Sequence, residues 1–174
     1  MRHFLDRLYL SAGWAAAGAI FAIALLVSAQ VLLNLATRVF GLPLPSSIPS
    51  YADFSGFLLA AATFLALPWT FRTGGHIRVS LLTQRMPERL RVWSEVAVLA
   101  LAALLVGALT VYVVLLVAES RRFGDVSSGM VPVPLWIPQA VMATGLGLLL
   151  VAIVDSAVQT VARGAVVVRD AEEV

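Results

Sequence analysis

The chain has 174 residues, of which 60% are hydrophobic and 13% charged, with a formal net charge of +2 and no cysteine. Soluble domains carry about 25% charged residues, so a water-soluble fold is excluded, and the lack of thiols excludes disulfides, thiolate catalysis and iron–sulfur clusters. All twelve basic residues are arginines scattered among the segments that flank apolar runs, with no basic face interleaved with aromatics, so the high isoelectric point reports membrane topology and gives no nucleic-acid partner.

Four stretches contain no charged residue: Leu8–Thr37, Phe54–Phe71, Val96–Ala118 and Val126–Val154. The hydrocarbon core of a bilayer is about 30 Å thick and a helix rises about 1.5 Å per residue, so about 20 apolar residues span it. A soluble bundle would carry a polar stripe on each helix, whereas these runs are apolar all round. The fold class is therefore all-α integral membrane: one domain over residues 1–174, with transmembrane helices at about 10–37, 52–71, 88–119 and 135–160. Short connections and tails take up the rest, leaving no room for a separate soluble domain. The first run is too long for a signal-peptide core and is expected to remain as a mature helix.

In helix one, Gln30, Asn34 and Arg38 stand four apart and share a face. They form either part of a polar pathway or partner contact near the external surface, or interhelical hydrogen bonds with an arginine that snorkels outward. The first external loop, Gly41–Ser50, holds three prolines that stop helix one and favour an extended connection. Asp53 opens helix two, and Pro68 is placed to kink its far end. Arg72-Thr-Gly-Gly-His76 breaks that helix, because paired glycines are poor helix formers. Beyond it, Ile77, Leu81, Leu82 and Met86 recur at roughly helical spacing, which predicts a short amphipathic segment at the interface in the internal loop. Pro87 suits the first position of helix three and Glu88 its N-terminus. Ala103/Gly107 and Ala143/Gly147 have the small-x-x-x-small spacing of close helix packing. Pro134 and Pro138 fit the first turn of helix four. Trp14, Trp69, Trp93 and Trp136 each stand near a span end, where indole rings prefer the headgroup level.

The arginines give the orientation. The N-terminal tail, the internal loop and the C-terminal tail hold nine: Arg2 and Arg7; Arg72, Arg78, Arg85, Arg89 and Arg91; Arg163 and Arg169. The other side holds Arg38, Arg121 and Arg122. Positive charge stays inside, so both termini are expected in the cytoplasm.

Ionisable residues inside a membrane mark function by default, yet Asp53, Glu95, Glu119 and Asp155 all fall at span ends. No convergent carboxylates are placed at depth for a proton relay or ion cage. His3 is in a tail. His76, beside Gly75, has no cysteine and no second histidine nearby in the sequence to share a metal, and no nucleophile or orienting carboxylate is placed for it; it is expected to hydrogen-bond across a tight loop or to helix ends. No metal, cofactor or catalytic residue is assigned. Three readings are open: an accessory subunit of a secondary transporter, a stand-alone homo-oligomeric transporter or channel, and a membrane enzyme. A homo-oligomeric exporter is expected to place a carboxylate mid-helix, and an enzyme needs clustered His, Asp or Glu near one face. The sequence supplies neither, and the chain is read as not an enzyme.

The run Phe71-Arg72-Thr73-Gly74-Gly75-His76-Ile77-Arg78-Val79, followed by Leu81-Leu82 and Met86-Pro87, resembles the small membrane subunit of tripartite ATP-independent periplasmic (TRAP) transporters, the DctQ type. Asn34 with Arg38 at the end of helix one, Asp53 where the family more often has glutamate, and the proline-rich approach to helix four with Trp136 are also similar. The likeness covers roughly residues 34 to 154. It implies a multi-pass protein of the bacterial inner membrane. It also implies two partners, a large permease subunit and a periplasmic substrate-binding protein, with sodium-coupled uptake of organic acids. In such a complex this subunit braces the scaffold of the large one, in contact with membrane lipids. Gln30, Asn34, Arg38, Asp53, Gly75, His76 and Arg78 are the candidate partner or structural residues. Arg78 and its neighbouring loop arginines are expected to meet anionic lipid headgroups or the cytoplasmic edge of the large subunit.

Overall fold

The computed structural model describes residues 2–74 and 87–164. Four helices account for nearly all of them: α1 (Arg2–Arg38), α2 (Tyr51–Arg72), α3 (Glu88–Phe123) and α4 (Trp136–Arg163). Each is long and apolar enough to cross a membrane. The interfacial segment expected around Ile77–Met86, together with Gly75, His76 and Arg78, lies outside the described residues.

The helices overrun the charge-free stretches, because charged residues at their ends are still good helix formers. Thus α1 begins at Arg2 instead of near residue 10. Likewise α3 continues past Glu119 to Phe123 and stops where Gly124 takes a left-handed conformation, φ 68°. Pro87 stands just outside α3 at φ −56°, ψ 145°, leaving Glu88 as the first helical residue. Pro134 also lies outside its helix, paired with Val126 in a short antiparallel bridge; only Pro138 sits in the first turn of α4.

Antiparallel neighbours α1 and α2 pack together, α2 packs on α4, and α4 packs on α3. The helices therefore form a layer in the order α1–α2–α4–α3, with α1 and α3 at its edges. Burial is concentrated on α4, while α2, the other central helix, buries only Ala62 and Pro68. The central α4 buries Leu146, Leu149, Ala152 and Ile153, whereas α1 buries mainly small residues, Ala12, Ala16 and Ala19, at the three- and four-residue steps of one helix face. Lipid is as apolar as leucine, so these helices gain no hydrophobic expulsion from one another; close van der Waals approach between small residues holds them. Leu99, Leu149 and Ile153 form the buried cluster between α3 and α4, and Leu67 and Phe71 of α2 pack on it.

The tightest approach is set by two residues on different helices. Pro68, buried within α2, has no N–H, so the carbonyl of Phe64 loses its helical donor. Gly145 of α4 packs on that carbonyl: a Cβ at position 145 would lie 2.4 Å from the Phe64 oxygen and 2.5 Å from its carbon. Of the small pairs read from sequence, Gly107 sits opposite Leu150, while Gly147 faces open space. Threonines in the spans satisfy their hydroxyls internally. Those of Thr63, Thr70, Thr110, Thr144 and Thr160 each donate to the carbonyl four residues back, as an environment without water requires.

Gly145→Ala is expected to force α2 and α4 apart and lower stability by about 1–3 kcal/mol, the usual magnitude of overpacking. Gly147→Ala should be neutral or slightly stabilising. Thermal unfolding of the two variants in the same detergent checks the contrast.

Candidate functional site

The polar groups of the layer gather at its two ends. One end holds the start of α1 and the close of α2 and α4; the other holds the loops 39–50 and 124–135.

At the first end, Arg72 closes α2 and its guanidinium faces both neighbouring helices. Nη1 donates to Asp155 Oδ2 at 3.4 Å and to Ser156 Oγ at 3.5 Å, and Nη2 pairs with Asp6 Oδ1 of α1 at 3.6 Å. Gln159, one turn beyond Asp155 on α4, donates to the same Oδ2 at 2.6 Å. The side chains of Arg72 and Asp155 are each 24% exposed, that of Asp6 56%. The planar fork of arginine makes this divided contact possible. Tyr9, almost wholly buried, lies within electrostatic reach of Asp155, Arg72 and Asp6, and its hydroxyl has no hydrogen-bond partner among the described residues. Three helices are thus tied by one cation that two carboxylates share.

At the second end, Gln30 is 6% exposed and acts as a clamp on the loop. Its Oε1 accepts from the backbone N–H of Ile48 at 2.7 Å, and its Nε2 donates to the carbonyl of Ser46 at 3.3 Å. Asn34 donates back to the Gln30 carbonyl at 3.1 Å. Arg38 is exposed at the helix tip. Ser50 is held in the left-handed region at φ 54°, a strained conformation for a side-chain-bearing residue, and its Oγ accepts the N–H of Val131 from the other loop at 2.8 Å. Asp53, in the first turn of α2 where a carboxylate suits the helix dipole, fills the space beside Gly129 so closely that a Cβ there would overlap its Oδ2. The second loop is itself braced: Ser127 N–H donates to the Val133 carbonyl, Leu135 N–H to that of Asp125, and the Arg121 guanidinium lies 5.5 Å from the centre of the Trp136 ring.

Of the residues singled out in the sequence, Gln30 clamps α1 to the loop, while Asn34 bonds back within α1 to the Gln30 carbonyl. Asp53 meets the opposite loop, and Arg38 stands apart. Sequence reasoning missed Arg72, Asp155, Gln159 and Asp6. Asp155 and Gln159 carry a local signal, since four-residue spacing places them on one face; their partner on α2 is far away in the chain and leaves none. Among the described residues no group of three or more His, Asp or Glu could hold a metal ion. What this arrangement does chemically is fasten helices and loops.

Residues 23–163 match the family described as "Tripartite ATP-independent periplasmic transporters, DctQ component". No curated protein and no solved structure matches the chain.

Arg72→Ala is expected to cost about 1–3 kcal/mol, between the values for exposed and fully buried pairs, with Arg72→Lys recovering only part because an ammonium cannot fork. Gln30→Leu leaves the Ile48 N–H unpaired, an effect of about 1–3 kcal/mol, and should speed proteolysis of loop 39–50. Thermal midpoints and cleavage rates in detergent measure the two effects.

Proposed function

The chain belongs to the DctQ family of tripartite ATP-independent periplasmic transporter components, a transport subunit and not an enzyme, and from that premise we propose that it braces the scaffold of a large permease subunit in the bacterial inner membrane. In this reading a periplasmic binding protein delivers an organic acid, and sodium-coupled movement takes place in the large subunit. Both termini and the Arg72 cluster face the cytoplasm, as the nine-to-three arginine split supports. The loops 39–50 and 124–135 face the periplasm.

One observation carries the role. The acidic and basic residues stand at or beyond span ends, while the two edge helices expose apolar side chains along their length. In place of the charged groups that a substrate or ion would need at depth, the spans carry apolar side chains and threonines bonded back to their own helices. Such a layer suits lateral attachment to another membrane protein. Arg78 and the arginines near it are proposed to hold anionic lipid headgroups or the cytoplasmic edge of the partner, five positive charges between Arg72 and Arg91 being the motivation.

Mild-detergent extraction should bring down a large polytopic partner with this chain, and reconstitution of the chain alone into liposomes should leave solute gradients intact. Robust uptake by the chain alone would replace this reading with that of a stand-alone homo-oligomeric transporter. Arg78→Ala/Arg85→Ala is expected to weaken assembly or transport by the complex several-fold; wild-type behaviour of the double variant sinks the assignment of those arginines.

A further inference from the structure

The start of α3 and the close of α4 bound a groove of about 520 Å³ at the end of the layer that holds the Arg72 cluster. Glu88, Arg89, Val92 and Trp93 line it from α3, and Gly164 lines it from α4. Trp93 is 70% exposed there, a large apolar ring left open to cover. Pro87 gives α3 no side-chain cap, so the first N–H groups of this 36-residue helix carry the partial positive charge of a helix start. Arg89 adds a full charge beside them. Arg89, Arg91 and Arg163 have no carboxylate partner among the described residues. The groove is thus apolar along its wall and positive at its rim, with Glu88 the one acid among its lining residues. Arg72 ties α1, α2 and α4 at this end and leaves α3 out.

The chain itself carries a segment of the opposite character. At Gly164, φ 62°, α4 ends in the left-handed region with that N–H bonded to the Thr160 carbonyl, the turn by which a helix stops and its chain changes course. Residues 165–174 therefore depart from the wall of the groove. They read Ala-Val-Val-Val and then Arg-Asp-Ala-Glu-Glu-Val. The first part is apolar and β-branched, a composition that suits extended backbone better than helix. The second sets three carboxylates against one arginine. An extended chain covers about 3.3 Å per residue, so Val167 reaches ~10 Å from Gly164 and Asp170 ~20 Å. That is enough for the valines to lie in the groove and for the carboxylates to meet its rim. We propose that residues 165–174 dock in this groove, with Val166, Val167 and Val168 on Val92 and Trp93, and with Asp170, Glu172 and Glu173 at Arg89, Arg91 and the start of α3. The tail then fastens α4 to α3 at the end where Arg72 fastens α4 to α2 and α1. Charge and connection decide the occupant. An anionic lipid headgroup offers the rim one phosphate, whereas the tail brings three carboxylates at the millimolar effective concentration, in order of magnitude, that a short covalent connection sets. Arg78 and Arg85 stay with the contact proposed for them above. The docking depends neither on the bracing role nor on which side of the membrane this end faces.

The lack of native cysteines makes the test direct. Val92→Cys and Val167→Cys are placed together in the full chain, in vesicles of phosphatidylethanolamine and phosphatidylglycerol, and oxidised with copper phenanthroline. A disulfide needs Cβ atoms about 4 Å apart, so a bridge within one chain reports the docked tail. Leu90→Cys with Val167→Cys is the control, since Leu90 stands at the same end of α3, is 56% exposed and does not line the groove. Most molecules should bridge from position 92, and under about a tenth as many from position 90. Arg89→Glu should lower the bridge at 92 about fivefold, the scale of an exposed charge pair, and Glu172→Arg/Glu173→Arg added to it should restore the yield. Salt at about 1 M, where screening acts within about 3 Å, should lower it as well. Equal yields at 90 and 92 overturn the docking, as do bridges between chains instead of within one, or a yield indifferent to Arg89→Glu and to the reversed pair. A low yield at 92 also overturns it, and recovery on leaving out phosphatidylglycerol would name the lipid headgroup as the occupant.

Discussion

A guanidinium at the edge of a hydrocarbon layer must be paired, and the pairing of Arg72 fixes how this layer is put together. Because α2 lies between α1 and α4, an arginine at its end can reach a carboxylate on each side, Asp6 and Asp155. The contacts are long enough, at 3.4 to 3.6 Å, that none alone would hold a helix. Their value is in being shared: moving either neighbour leaves a partly buried charge short of a partner, and that penalty exceeds the worth of the pair itself. Helices in lipid have no hydrophobic reason to prefer one neighbour over another, so a polar tie at the boundary specifies what the apolar spans leave open.

The same logic appears halfway down α2 without any charge. Pro68 frees the Phe64 carbonyl, and an unsatisfied carbonyl in a membrane is costly. The backbone of Gly145, with no side chain in the way, lies against it. Glycine and proline, each a weak helix residue alone, are here two halves of one contact between α2 and α4. At the loop end Gln30, Ser50 and Asp53 do the comparable work in a wetter setting. The clamp on Ile48 and the bond from Val131 to a strained Ser50 bring the two loops to one level. Local strain of that kind persists only when the surrounding contacts over-determine it.

The number of helices was legible because length and lack of charge are local properties, and the paired glycines after Arg72 mark a break in the sequence itself. The order of helices in the layer was not. Every span is apolar on all sides, so nothing periodic says which face meets which neighbour. The small-residue motif pointed to Gly147, which faces open space, and passed over Gly145, because spacing along one helix carries no information about a proline on another. The Arg72 cluster was hidden for a related reason: as the last residue of a span, that arginine reads as one more positive charge on the inner side, and only the fold brings Asp155 to it. The polar line Gln30–Asn34–Arg38 was visible as a line, yet its use depends on loop 39–50 folding back down beside α1, which three prolines permit but do not specify.

That return of the loop gives the layer its asymmetry. A connection of twelve residues could have left α1 and α2 ending together; instead it descends about two turns, and Gln30 holds it there. The ends with the most polar ties belong to the central helices, and the surplus length belongs to the edges. In a self-contained bundle the reverse would be expected, with apolar surplus buried and polar groups turned outward. An open layer, stiffened at both ends, without an acidic or basic side chain at depth and with one edge helix standing beyond its neighbours, has its unmet contacts on its edge. A layer of this form has room for completion from the side, which is the physical content of the bracing role proposed for it.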